Sequence, residues 1–147
     1  MGLGSIVGCT TSSDEEPGPY DSLYDTAQSP NANASEVRGV WDLRTEQDGI
    51  AQQQRLRVTD ETLTIANRCS TDEQGTVTVG VTVAITIAPG TMTVKDPGGQ
   101  DVKRVPAKGS KLAFSCNASL TGPGDLPYAL GNGELQLGGV KWRKVAD

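Results

Sequence analysis

Histidine is absent from all 147 residues. With it go the commonest general base, the Ser–His and Cys–His nucleophile pairs, and the imidazole ligands that hold zinc, copper or iron. Aromatic residues are scarce, at 4% with one Phe, and the apolar fraction is only 35%. With Gly, Thr, Val and Asp plentiful, this composition favours short strands and many turns over helical bundles. No run approaches the roughly 18 apolar residues that a transmembrane helix requires, so any membrane attachment would run through lipid. Lysine and arginine are missing from residues 1–36, which carry six acids, whereas the remaining twelve acids face thirteen bases for a net +1. A near-neutral domain lacks the concentrated positive field that nucleic-acid binding needs, which excludes that partner.

What is there divides at about residue 36. From Thr10 to Ser35 the chain is Ser, Asp, Glu, Pro, Gly, Asn and Ala, with Tyr20, Leu23 and Tyr24 as its sizeable apolar groups. Such a segment cannot bury enough surface to offset its ordering entropy. Residues 10–36 are therefore expected to form a disordered acidic tether, with the Tyr20–Tyr24 cluster part of a solvated spacer. Residues 37–147 are long enough to bury one core.

The clearest signal in that domain is Val77, Val79, Val81, Val83, Ile85 and Ile87 in strict alternation with Thr, Gly and Ala, a half-buried strand. At about 3.3 Å per residue it is long for a flat strand in a small domain, which predicts a bend at or near Gly80. Leu56 and Val58, then Leu63, Ile65 and Cys69, set the inward face of a hairpin around Asp60-Glu61. Leu112, Phe114, Cys116, Ala118 and Leu120 set another, and Leu135, Leu137, Val140 and Trp142 close the chain as two strands around Gly138-Gly139. Further turns are expected at Asp48-Gly49, Asp96–Gly99, Gly122–Gly124 and Asn132-Gly133. The expectation is an all-β domain of seven or eight strands, a small antiparallel barrel or alternatively a β-sandwich.

Ile6-Val7-Gly8-Cys9 resembles the lipobox of bacterial lipoproteins, in which signal peptidase II cuts before a cysteine that becomes diacylated. The resemblance makes residues 1–9 the remnant of a signal peptide, implies that its basic and apolar front lies ahead of Met1, and implies lipidation (palmitate) on Cys9. Thr10 after the cysteine matches the outer-membrane class of the sorting rule, with the domain facing the periplasm. Setting an acylated Cys9 apart leaves an even pair, Cys69 and Cys116, suited to an oxidising compartment. Both share inward strand parity, so a Cys69–Cys116 disulfide is expected, with two buried free thiols as the alternative.

Gly39-Val40-Trp41 at the start of the first strand resembles the G-x-W motif of lipocalins and related calycin barrels. There the Trp closes one barrel end, often beneath a late Arg. The resemblance assigns that barrel-closing role to Gly39, Trp41 and Arg143.

Asp96, Asp101, Asp125 and Glu134 fall in predicted turns with no acid–base pairing in their spacing, and Asp96–Asp101 is too sparse for a calcium loop. Lys103, Arg104, Lys108 and Lys111 read as a solvated loop. No catalytic residue, cofactor or metal is expected. Two functions stand: a membrane-anchored recognition or assembly module of the cell envelope that engages an envelope protein partner, or alternatively lipocalin-like binding of a small apolar ligand inside the barrel.

Overall fold

The alternating Val77–Ile87 run becomes the longest strand of a computed structural model that describes residues 20–25, 35–47, 50–71, 75–105 and 114–147. The strands are β1 (Gly39–Gln47), β2 (Ile50–Val58), β3 (Thr62–Thr71), β4 (Gly75–Ala88), β5 (Thr91–Val94), β6 (Gly98–Val105), β7 (Phe114–Thr121), β8 (Gly124–Gly131), β9 (Glu134–Leu137) and β10 (Val140–Ala146). One 3-10 turn, Asp21–Tyr24, precedes them. Eight strands close in the order β9-β10-β1-β2-β3-β4-β5-β8, each pair antiparallel. Because the hydrogen bonding returns to its starting strand, the fold is a closed all-β barrel, not a sandwich. β6 and β7 pair with each other as a separate ribbon.

Register follows the hydrophobic parity. Trp41, Leu56, Ile65 and Val81 stand opposite one another across β1 to β4 and form one inward layer. Trp41, Leu56, Leu63, Met92 and Leu135 are at most 1% exposed, so this part of the barrel is filled by its own side chains.

β4 serves two partners, β3 through Gly75–Ala84 and β5 through Ile85–Ala88. The change of partner falls at Ala84–Ile85, five residues beyond the Gly80 expected from sequence, and Gly80 has a different use described below. Before that change the far edge of β4 is capped by side chains. Asp101 Oδ2 accepts from the Gly80 N–H at 3.0 Å and Asp96 Oδ2 from the Ala84 N–H at 2.8 Å. Two carboxylates read from sequence as turn residues thus occupy backbone donors that an edge strand would otherwise leave open.

The ribbon is fastened to β3. The Cys69 and Cys116 sulfurs are bonded at 2.11 Å, with the Cα atoms 5.9 Å apart, inside the disulfide range. Both residues are fully buried and share a small cluster with Val79 and Ala118. Beside them Asn67 Nδ2 donates to the Asn117 carbonyl at 3.0 Å. Cys69 carries the inward parity read from Leu63 and Ile65, which is why its sulfur meets the ribbon.

Of the expected tether, residues 10–19 and 26–34 lie outside the described residues, as do Cys9, Leu112 and the Asp48-Gly49 turn. Of the described part, Tyr20–Asp25 departs from a free spacer: it holds the 3-10 turn and packs on the barrel wall, with Leu23 only 2% exposed. The low apolar content of residues 10–36 is an average, and the segment's three sizeable apolar side chains fall within five residues of one another.

Candidate functional site

The outward side chains of β1 to β4 would ordinarily face water. Here one row of them is buried. Asp42, Arg55, Ala66 and Gly80 stand opposite one another on successive strands, and the Tyr20–Asp25 turn lies over them. Leu23 packs with Val40, Ala66 and Val145. The Tyr20 ring rests on Gly80, where a Cβ would come within about 2.5 Å of ring carbons, so only glycine leaves room for it.

Polar contacts fix the turn in register. The Tyr24 hydroxyl donates to the Gln53 carbonyl at 2.7 Å. Arg55 Nη1 donates to the Leu23 carbonyl at 2.9 Å. Arg68 Nη2 pairs with Asp21 at 3.0 Å, and its guanidinium carbon stands 4.1 Å from the Tyr24 ring centroid, a cation–π contact.

Beneath the turn Arg55 Nε meets Asp42 Oδ1 at 2.8 Å, with side chains only 3% and 6% exposed. A buried charge is costly unless paired and hydrogen-bonded, and Asp42 also accepts from Gln53 Nε2 at 2.9 Å and Arg44 Nε at 3.1 Å. Burial alone would push the Asp42 carboxyl up. The hydrogen bonds from Gln53, Arg55 and Arg44, with the Arg55 charge, outweigh it and hold the carboxyl below the usual carboxylate range. The pair therefore stabilises the fold above the unfolded-state value near 4, and that contribution is lost as acid titrates Asp42.

Tyr24 moves the other way. Burial raises its phenol far above the ordinary value, only partly offset by the Arg68 and Arg55 charges. A raised phenol pKa means that docking is fully supported below the unfolded-state value of about 10 and is lost as pH rises past it. Ring NMR of selectively labelled Tyr24 should show a midpoint well above 10 in the wild type, returning toward about 10 in Leu23→Ser. An ordinary midpoint in the folded wild type would contradict the docked turn.

Next to the turn, an open groove of about 370 Å³ is lined by Arg44, Thr45, Glu46, Ala51, Gln52, Gln53, Arg68 and Ser70. Gln53 and Arg68 belong to both groove and turn contacts, so the two form one continuous polar surface on the outer wall. Among the described residues no group of three His, Cys, Asp or Glu side chains could hold a metal ion.

The G-x-W residues lie at one barrel end. Trp41 is fully buried and its Nε1 donates to the Val37 carbonyl at 2.9 Å. Gly39 adopts φ +136°, and a Cβ there would collide with the Ala146 carbonyl and stand 2.6 Å from Lys144 Cε. The cation over Trp41 is Lys144, not Arg143: its Nζ lies 5.2 Å from the ring, donates to the Glu36 carbonyl at 2.9 Å and pairs with Asp147 at 3.3 Å. Arg143 is exposed, opposite Asp42 on the outer wall. Strand alternation explains the correction, because an inward Trp142 sends residue 143 outward and brings residue 144 in.

Sequence reasoning thus named Gly39, Trp41, Cys69 and Cys116 at positions where the structure gives each a close packing role. It missed Lys144, which the Trp142 parity signals. It also missed the Asp42–Arg55 pair, for which two outward polar residues on separate strands give no local signal. No family model, curated protein sequence or solved structure matches the chain.

Proposed function

We propose that this protein is a lipid-anchored recognition module of the bacterial cell envelope, tethered through Cys9 and engaging an envelope protein with its barrel. The observation that carries the reading is where the shaped polar surface lies. The barrel interior around Trp41 is filled by its own side chains, whereas the outer wall of β1 to β4 already holds a peptide segment and continues into an open groove. A surface that seats a turn through backbone carbonyls, arginines and a glycine floor has the features of a peptide-recognition wall. The disulfide supports an oxidising compartment, and Ile6–Cys9 supports the anchor. The lipocalin resemblance then describes the scaffold, with Lys144 in the cation's place, and not a ligand cavity.

Full-length protein supplied with a complete signal peptide should fractionate with membranes and carry acyl chains on Cys9, and Cys9→Ser should move it to the soluble periplasmic fraction. In the same cells, a photo-crosslinking residue at Ala51 or Ser70 in the groove should capture a defined envelope protein, which the same residue at exposed Val102 on the ribbon does not. Unchanged membrane fractionation of the Ser variant would refute the anchor. Identical capture profiles at groove and ribbon would refute the recognition surface.

A further inference from the structure

The docked turn divides the chain between the lipobox cysteine and the barrel into two lengths. No conformation of a polypeptide spans more than about 3.6 Å per residue, so the stretch from Cys9 to Tyr20 reaches at most about 40 Å and that from Cys9 to Gly39 at most about 110 Å. With the turn seated, the barrel wall can stand no farther from Cys9 than the shorter limit. With the turn released, the longer limit applies.

The seat is built for this segment and also survives losing it. Its fit to the segment is shown by Gly80, where any side chain would displace the Tyr20 ring, and by buried Arg55, which donates to the Leu23 carbonyl. Tolerance of release comes from the pairing beneath. Asp42 and Arg55 keep each other, and Asp42 keeps Gln53 and Arg44, when the turn leaves. The contacts that break are the Tyr24 hydroxyl to the Gln53 carbonyl, Arg55 to the Leu23 carbonyl, and Arg68 to Asp21 and the Tyr24 ring, and water can then satisfy the polar groups they leave. Against the entropy of ordering six residues, the turn offers one buried apolar side chain, two half-buried tyrosines and the partly exposed Asp21–Arg68 pair, which in water's reach adds little. Such a balance places the segment at the low-stability end of the molecule, where local opening precedes global unfolding.

We propose that Tyr20–Asp25 is a releasable latch that sets how far the barrel can stand from the membrane, an inference that rests on the Cys9 anchor. The latch has two states: docked, with a short leash for the wall facing the membrane, and open, with a long leash and a vacant seat of Val40, Ala66, Gly80, Arg55 and Arg68 on the outer wall.

Two measurements test it separately. In soluble Cys9→Ser protein, hydrogen exchange at the Leu23 and Asp25 amides, which the turn bonds to the Tyr20 and Ser22 carbonyls, should be slowed at least tenfold relative to the variant Tyr20→Ser/Leu23→Ser/Tyr24→Ser. It should still run at least a hundredfold faster than at β2 and β3 amides such as those of Leu56 and Ile65. Protection equal to that of the β strands would make the turn a permanent clip and overturn the latch, as would no protection at all. In acylated protein on phosphatidylethanolamine–phosphatidylglycerol vesicles, energy transfer from a dye at Val102→Cys to acceptor lipid should fall at least twofold in the triple variant. Equal transfer with both proteins bound would overturn the latch alone. Absence of vesicle binding would overturn the anchor, and the stand-off control with it, while leaving the exchange result to report docking.

Discussion

Replacing Cys69 and Cys116 together by Ala should lower global stability by about 4 kcal/mol, because the bond closes a loop of 47 residues and the chain-entropy cost of that loop returns to the unfolded state. For a domain of this size the melting temperature should then fall by roughly 15 °C. The effect is not confined to the unfolded chain. β6 and β7 pair as strands with each other and not with the barrel strands, so the disulfide, the Asp101 and Asp96 caps on β4, and the Asn67–Asn117 contact are prominent among their attachments to the wall. Hydrogen exchange should therefore rise first and most in β6 and β7. Mass spectrometry of the unreduced, denatured protein should find alkylation at no cysteine other than Cys9. Alkylatable Cys69 and Cys116 in protein from an oxidising compartment would refute the bond. A melting temperature unchanged in the double Ala variant would refute its stabilising role.

What the sequence could show, and what it could not, follows from the range of each signal. Alternation is local, so the faces of β2, β3, β4 and β7 were legible, and with them the meeting of Cys69 and Cys116. Closure of the wall is not local: the β5–β8 pairing that completes the ring joins Thr91–Val94 to Gly124–Pro127 across the ribbon, and nothing in either stretch names the other. Gly80 was legible as an exception in a strand but not as a seat, because its partner Tyr20 lies sixty residues away. The Tyr20–Tyr24 segment was misread for the same reason. Composition argues against a core of its own, and the described turn instead borrows the outward faces of Val40, Ala66 and Val145. The lipocalin resemblance points to a late arginine and so to Arg143, where the parity set by Trp142 favours Lys144.

That choice can be decided by measurement, and it carries the second large effect. Trp41→Ala should cost about 3–5 kcal/mol, since a fully buried indole leaves a cavity in the layer it shares with Leu56, Ile65 and Val81, and the β strands around it relax only in part. The same change removes the ring beneath the Lys144 ammonium, worth roughly 0.5–2 kcal/mol at a desolvated site. Trp41→Phe keeps most of the apolar volume but leaves the buried Val37 carbonyl without its Nε1 donor, so its cost should be about 1–3 kcal/mol. Lys144→Met retains the stem but leaves the Glu36 carbonyl without its donor, which predicts a loss of about 1–3 kcal/mol. Arg143→Met removes an exposed side chain and should stay within about 0.5 kcal/mol of wild type. Urea denaturation of the four variants should place Trp41→Ala as the most damaging, Lys144→Met and Trp41→Phe between, and Arg143→Met as the least. A cost at Arg143 equal to or above that at Lys144 would return the closing role to Arg143 and reverse the parity assigned to β10.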